Sequence, residues 1–138
     1  MNYIVGRLIE VLSEDEAFWV FTIIIENYLS FDYMLDGLAG AMIDQKVFEH
    51  LVNYRYPKIL KKFDSLMLQH MSARTIFQNN VISWFQSLFT HYNVSKELAC
   101  GFIDLFLLRG RNVIFFFGLA VLNCLQEEIQ QCETLEML

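Results

Sequence analysis

The sequence predicts an all-α protein of about seven helices, forming one unit over residues 1–138. Three observations predict it. Apolar residues recur at three- and four-residue spacing in seven successive segments. Proline occurs once, at Pro57. Serine or glycine stands where several of the patterns begin or end, at Ser13, Ser95 and Gly110.

Taken in order, Ile4, Val5, Leu8, Ile9 and Leu12 mark a first helix that begins within a few residues of Met1, with only Asn2 available as a cap. Ser13 then opens "SEDE", where Glu16 stands three residues after a serine cap and three acids face the helix dipole. The helix that follows carries Phe18, Trp19, Val20, Phe21, Ile23, Ile24 and Ile25, apolar nearly all round, and is expected to be central and buried. Its "TIII" run would suit a strand, but the length and the strong cap decide for helix. "SFDYMLDGLAG" is a connection with two glycines. The third helix presents Ile43, Val47, Phe48, Leu51 and Val52 on one face. Pro57 suits the first turn of a fourth, with Ile59, Leu60, Phe63 and Met67 inward. Phe77, Val81, Trp84, Phe85, Leu88 and Phe89 define the fifth. Ser95 caps the sixth, whose inner face is Leu98, Phe102, Ile103 and Phe106, and Gly110 stops it. The seventh runs from about Asn112 through the phenylalanine triplet into "QEEIQQ".

Hydrophobic residues make up 55% of the chain, and exchanging the six Tyr for the six Gly leaves that share unchanged; on that definition a soluble domain has ~45–50%. The mean hydropathy is +0.35. Such a chain either spans a membrane or carries more apolar surface than its own core needs. A spanning helix takes roughly 20 apolar residues. The richest run, "VIFFFGLAVLNCL", is shorter and contains Asn123, while Asp104, Arg109, Arg111 and Glu26 interrupt the others, so no transmembrane segment is expected. No basic region precedes the first apolar segment, and "SEDE" follows it, so it does not read as a signal peptide. The net charge of −6 argues against nucleic acid as a partner, and Lys58, Lys61 and Lys62 read as the solvated side of a helix. Cys100, Cys124 and Cys132 read as thiols of an intracellular protein, and the "NVS" at Asn93 as a loop before the Ser95 cap.

No catalytic constellation emerges. His50, His70 and His91 lack the four-residue spacing that puts two ligands on one helical face, so no metal is expected. Gly37 and Gly40 lack the Lys-Ser/Thr of a phosphate loop. Asp32, Asp36 and Asp44 do not form an EF-hand pattern and read as turn and cap residues. No cofactor is implied. From the residues alone, this is a helical interaction domain.

Three stretches together resemble the second half of the TBC domain, the all-helical fold of Rab GTPase-activating proteins. "MNYIVGRLIEVLSEDEAFWVFTIIIENYL" resembles the segment after the family's glutamine motif. "VISWFQSLFTHY" is similar to its "WF-x-x-LF" helix, through Trp84, Phe85, Leu88 and Phe89. "FIDLFLLRGRNVIFFFGLAVL" resembles its "WDLFFLEG" end, through Asp104, Phe106 and Gly110 among others. Departures are Ile103 in place of tryptophan, Gly118 where a larger residue is usual, and the absence of a proline in "HYNVSKELA".

In that family the catalytic groups are an arginine of I-x-x-D-x-x-R, which neutralises charge on the transferred phosphoryl, and a glutamine of Y-x-Q, which orients the attacking water. An arginine finger of this kind contributes ~10³–10⁵ in rate. Both motifs belong to the first half of the domain, and the 138 residues contain neither. Arg7 lies past the glutamine motif, on a helix the family uses for packing. The resemblance therefore implies a partial domain with no catalytic residue of its own, derived from a GTPase regulator in membrane trafficking. It also implies a Rab-family small GTPase as partner, and the missing N-terminal half or another protein on the apolar face. The implied location is the cytoplasm, peripheral to vesicle membranes. Asn2 is the partner-contact candidate, by nearness to the catalytic loop. A second reading is a non-catalytic assembly subunit that docks on another protein; a third is a small multi-helix membrane protein.

Overall fold

The Ser13 capping box forms as its spacing predicts. The Ser13 backbone N–H donates to Glu16 Oε2 at 2.9 Å and the Ser13 hydroxyl at 2.7 Å, while the Glu16 N–H returns a bond to Ser13 Oγ at 3.4 Å. These bonds hold the Glu16 pKa below its ordinary value. In the computed structural model, which describes residues 2–65, 67–68 and 71–132, this is one of seven α-helices. They are α1 (Asn2–Ile9), α2 (Glu14–Ile23), α3 (Ala39–Arg55), α4 (Pro57–Ser65), α5 (Ala73–Gln86), α6 (Lys96–Arg109) and α7 (Val113–Gln131).

The first helix is shorter than expected: it ends at Ile9, and a turn carries the chain to Leu12, whose N–H reaches the Leu8 carbonyl at 2.9 Å. Helix α2 runs on into a π-helical turn over Ile24–Tyr28. The widening follows the β-branched run that begins at Thr22, whose hydroxyl donates back to the Phe18 carbonyl at 2.9 Å. Between α4 and α5, β1 (Met67–Leu68) pairs antiparallel with β2 (Met71–Ser72), the one two-residue ladder among the described residues. Pro57 opens α4 as predicted, and Ile59, Leu60 and Phe63 are buried. The side chain of Met67 lies outside the described residues.

Helix α3 packs on α4 and α5, α4 also on α7, α7 on α6, and α6 on α1, with α2 beyond α1. An aromatic chain runs through this stack. Phe48 meets Phe85 edge-on at 5.3 Å, and Phe85 meets Phe115 at 5.8 Å. Phe89 contacts Phe102 at 5.1 Å and Phe117 at 4.8 Å. At the crossing of α3 and α7, a Cβ on Gly118 would stand 2.9 Å from the Phe48 ring, so the glycine makes the space that ring fills.

Three expectations about burial are corrected. Helix α2 is peripheral: only Ala17 is buried within it, because its main neighbours are α1 and its own π-helical continuation. Helix α3 turns Phe48 and Val52 inward with Gly40, Ala41, Asp44 and Gln45, leaving Ile43, Val47 and Leu51 exposed. Leu98, in the first turn of α6, is half exposed rather than inward. Helix α7 is longer than its apolar run. Its mean hydropathy of 1.3 makes it the one helix among the described residues long and apolar enough to cross a membrane, by length and composition alone. It also carries Glu127 and Glu128, and Ile114, Leu122 and Ile129 are buried in the core.

Candidate partner-binding face

Among the described residues, no three or more His, Cys, Asp or Glu side chains gather into a metal-sized group. His50 is exposed, His91 lies against Tyr3 and Tyr92 with ring centroids 4.6 and 4.1 Å apart, and His70 is outside the described residues. What the molecule offers instead is apolar surface. Phe18 and Trp19 on α2 are 62% and 63% exposed and meet edge-on at 5.4 Å. Ile23 is exposed one turn beyond Trp19 on α2, and Ile9, at the end of α1, is exposed as well. Between α1 and α2 lies a groove of about 280 Å³ lined by Val5, Ile9, Glu14, Ala17, Phe18 and Phe21. A second stripe, Ile43, Val47, Leu51 and Tyr54, runs along the outer side of α3. Contiguous apolar surface of this kind marks a place where something docks.

Two polar clusters anchor α3, which carries the second stripe. Asp44, read from sequence as a turn or cap residue, is instead buried within α3 and accepts two hydrogen bonds from Arg111, at 2.7 and 3.2 Å. The Arg111 guanidinium also lies 5.6 Å from the centre of the Tyr33 ring, tying the 29–38 connection to the α6–α7 turn. Burial, and then the neighbouring Asp44 charge, push the Tyr33 phenol above its ordinary pKa against the opposing pull of Arg111. Its hydroxyl makes no hydrogen bond of good geometry within the described residues. Around Glu49, Gln45 and Gln78 donate at 3.0 and 2.9 Å, and Arg74 donates through Nε at 2.8 Å and also through Nη2. Arg74 reaches on to Asp64 at 2.9 and 3.0 Å, joining α3, α4 and α5. Burial alone would raise the Glu49 pKa, but the bonds from Gln78, Arg74 and Gln45 and the Arg74 charge outweigh it and hold the carboxyl below its usual range.

The residues on which the resemblance rests are mostly packing groups. Trp84 and Phe85 lie in the last turn of α5, which ends two residues before Leu88 rather than running through it. Leu88 and Phe89 are both left-handed, with φ of 49° and 53°. The Phe89 N–H bonds to the Trp84 carbonyl and the Leu88 N–H to the Phe85 carbonyl, at 2.9 and 3.1 Å. Trp84 and Phe89 touch across the end at 5.9 Å, which completes a Schellman stop built without glycine. Phe106 is fully buried, and Gly110 adopts φ 82° to end α6. Asp104 is exposed at a cleft of about 210 Å³ between α1, α2 and α6. Asn2 is the first residue of α1, and its side chain lies outside the described residues. From the sequence Arg111 reads only as an interruption between apolar runs, not as the partner of Asp44. The usable hint was Asp44 inside the apolar run "AMIDQKVF", since a carboxylate on a buried helix face calls for a cation.

Residues 1–130 match the family described as the Rab-GTPase-TBC domain. TBC1 domain family member 2B of Mus musculus is 30% identical over 129 residues, covering 94% of this chain and 12% of its own length. The Xenopus tropicalis protein of the same name is 29% identical over 129 residues, covering 94% of this chain and 13% of its own length. Small G protein signaling modulator 3 of Homo sapiens is 31% identical over 126 residues, covering 91% of this chain and 16% of its own length. The chain thus spans about an eighth to a sixth of the length of these curated relatives. With the match running over nearly every residue, this chain belongs to the Rab-GTPase-TBC domain family.

Proposed function

We propose that this chain supplies helical scaffold to a TBC-type regulator of a Rab-family small GTPase and does not accelerate GTP hydrolysis by itself. One pairing carries the reading. The family match covers residues 1–130, yet neither I-x-x-D-x-x-R nor Y-x-Q occurs in the 138 residues. Arg7 is not available in their place: it donates to the Val94 carbonyl at 2.6 Å and to Glu10 at 3.3 Å, ties that hold it in the packing of α1. Without an arginine at the phosphoryl and a group to orient water, a bound GTPase keeps its intrinsic rate. On this reading the protein works in the cytoplasm, at the surface of vesicles, and is a regulator rather than an enzyme.

A second reading, a non-catalytic assembly subunit, is favoured by the exposed apolar surfaces of α2 and α3, which suit any protein partner. Single-turnover GTP hydrolysis by a panel of Rab proteins, with and without the chain, tests the first. The expected result is no acceleration, and a clear rise above the intrinsic rates overturns it. Binding to GTP-loaded Rab proteins separates the two: capture of a Rab supports the regulator, and capture of none supports the assembly subunit.

A further inference from the structure

We propose that a second copy of this chain covers the α2 face, forming a two-fold dimer in which Trp19 of each protomer enters the groove between α1 and α2 of the other. The inference goes beyond the proposed function and does not depend on it, since it is read with no GTPase present.

Area, shape and charge argue for this occupant. An aromatic side chain carries ~150–250 Å², so Phe18 and Trp19, each about three-fifths exposed, present roughly 200–300 Å². With Ile9 and Ile23 the patch reaches on the order of 400 Å² of apolar area. A standard interface buries ~800 Å² per partner, of which ~65% is apolar in homodimers, or about 500 Å². The patch comes close to that figure before any polar rim is counted. The groove of about 280 Å³ is roomy enough for an indole, given that a cavity of ~150 Å³ takes a benzene. Its walls are apolar at Val5, Ala17 and Phe21, with Glu14 the one charged side chain among the lining residues. A two-fold axis across α2 sets the two helices antiparallel, so the Glu14–Asp15–Glu16 ends lie apart by about the length of a ten-residue helix, ~15 Å. That exceeds the ~8 Å screening length at physiological salt, so the acids set the direction of docking without preventing it.

Sedimentation equilibrium of the whole chain, from about 1 to 100 µM, tests the proposal. The expected species is a dimer of the 16.3 kDa chain that tightens as NaCl is raised from low salt, because salt screens the net charge of −6 that each protomer carries. Trp19→Glu removes the anchor from both protomers at once and should weaken the dimer by on the order of 1,000-fold, about 30-fold for each. Phe18→Glu should act in the same direction. Phe116→Glu alters an equally exposed ring on α7, away from the face, and should leave the dimer unchanged. All three side chains are mostly in solvent, so helicity by circular dichroism should match the parent. A monomer at the highest concentration, open-ended aggregation, or equal weakening by the Trp19 and Phe116 variants would overturn the proposal.

Discussion

Gly118→Ala should destabilise the protein, although it replaces glycine in the middle of a helix. Two terms oppose each other. Helix propensity favours alanine by ~1 kcal/mol. Against it, the new methyl would stand 2.9 Å from two carbons of the Phe48 ring, closer than carbon atoms tolerate. Phe48 cannot simply swing aside: it is fully buried and held edge-on by Phe85 at 5.3 Å. Overpacking a closed site of this kind costs ~1–3 kcal/mol. The net effect is therefore a loss of about 1 kcal/mol, readable as a lower urea midpoint at unchanged slope. The cause is isolated by a double-mutant cycle with Phe48→Leu. The smaller side chain costs stability alone but vacates the contested space, so in that background Gly118→Ala should become neutral or stabilising. A coupling of ~1–2 kcal/mol between the positions is expected. Stabilisation by Gly118→Ala in the parent, or additivity in the cycle, would refute the argument that this glycine exists to admit the ring.

Further outcomes follow from the two polar clusters. Asp44 and Arg111 should not be equivalent. Arg111→Ala leaves a carboxylate side chain 7% exposed without its cation, a loss of ~3–5 kcal/mol, whereas Asp44→Asn leaves a guanidinium 34% exposed that water can reach, for ~1–2 kcal/mol. Equal losses in urea unfolding would contradict the assigned burial. For Glu49 the folded-state pKa is depressed below an unfolded value of ~4.3. Its contribution is thus present above that value and is lost as pH falls through the folded-state pKa. Glu49→Gln should be less stable than the parent at neutral pH and should lose part of the parent's acid sensitivity. Parallel stability curves from neutral to acid pH would show that the Gln45, Arg74 and Gln78 bonds do not favour the charged carboxylate.

Local signals in the sequence were easy to read and global ones were not. The Ser13 and Ser95 caps, Pro57 at the start of α4 and Gly110 after α6 are settled by atoms within one turn, and each forms as spacing predicts. Which way a helix faces depends on neighbours far along the chain. Helix α2, apolar nearly all round, has no periodicity with which to announce an outward side, so its exposure could not be read. Helix α3 misleads more actively. Its outward side carries Ile43 and Val47 while Asp44 and Gln45 turn inward, because Arg111 awaits the carboxylate and Gly118 receives Phe48. Both partners lie far along the chain, outside any helical window.

The α5 stop shows why family and partner are separable questions in this chain. A leucine at a left-handed position costs ~1–2 kcal/mol that glycine would avoid. Leu88 and Phe89 accept it because both side chains are buried, and because Phe89 contacts Trp84, Phe102 and Phe117 at once. "WF-x-x-LF" is thus a packing solution, satisfied entirely inside the molecule. The same holds for Phe106 and for the turn at Gly110. Residues of this kind can identify a fold while leaving its partner open, since a buried side chain has nothing left to offer one. Selectivity among partners must then come from side chains that the interior leaves exposed, among them those on α2 and on the outer stripe of α3. Substitutions at Phe18, Trp19, Ile43 and Val47 therefore bear on binding, whereas those at Phe85, Phe106 and Gly110 bear on whether the scaffold forms at all.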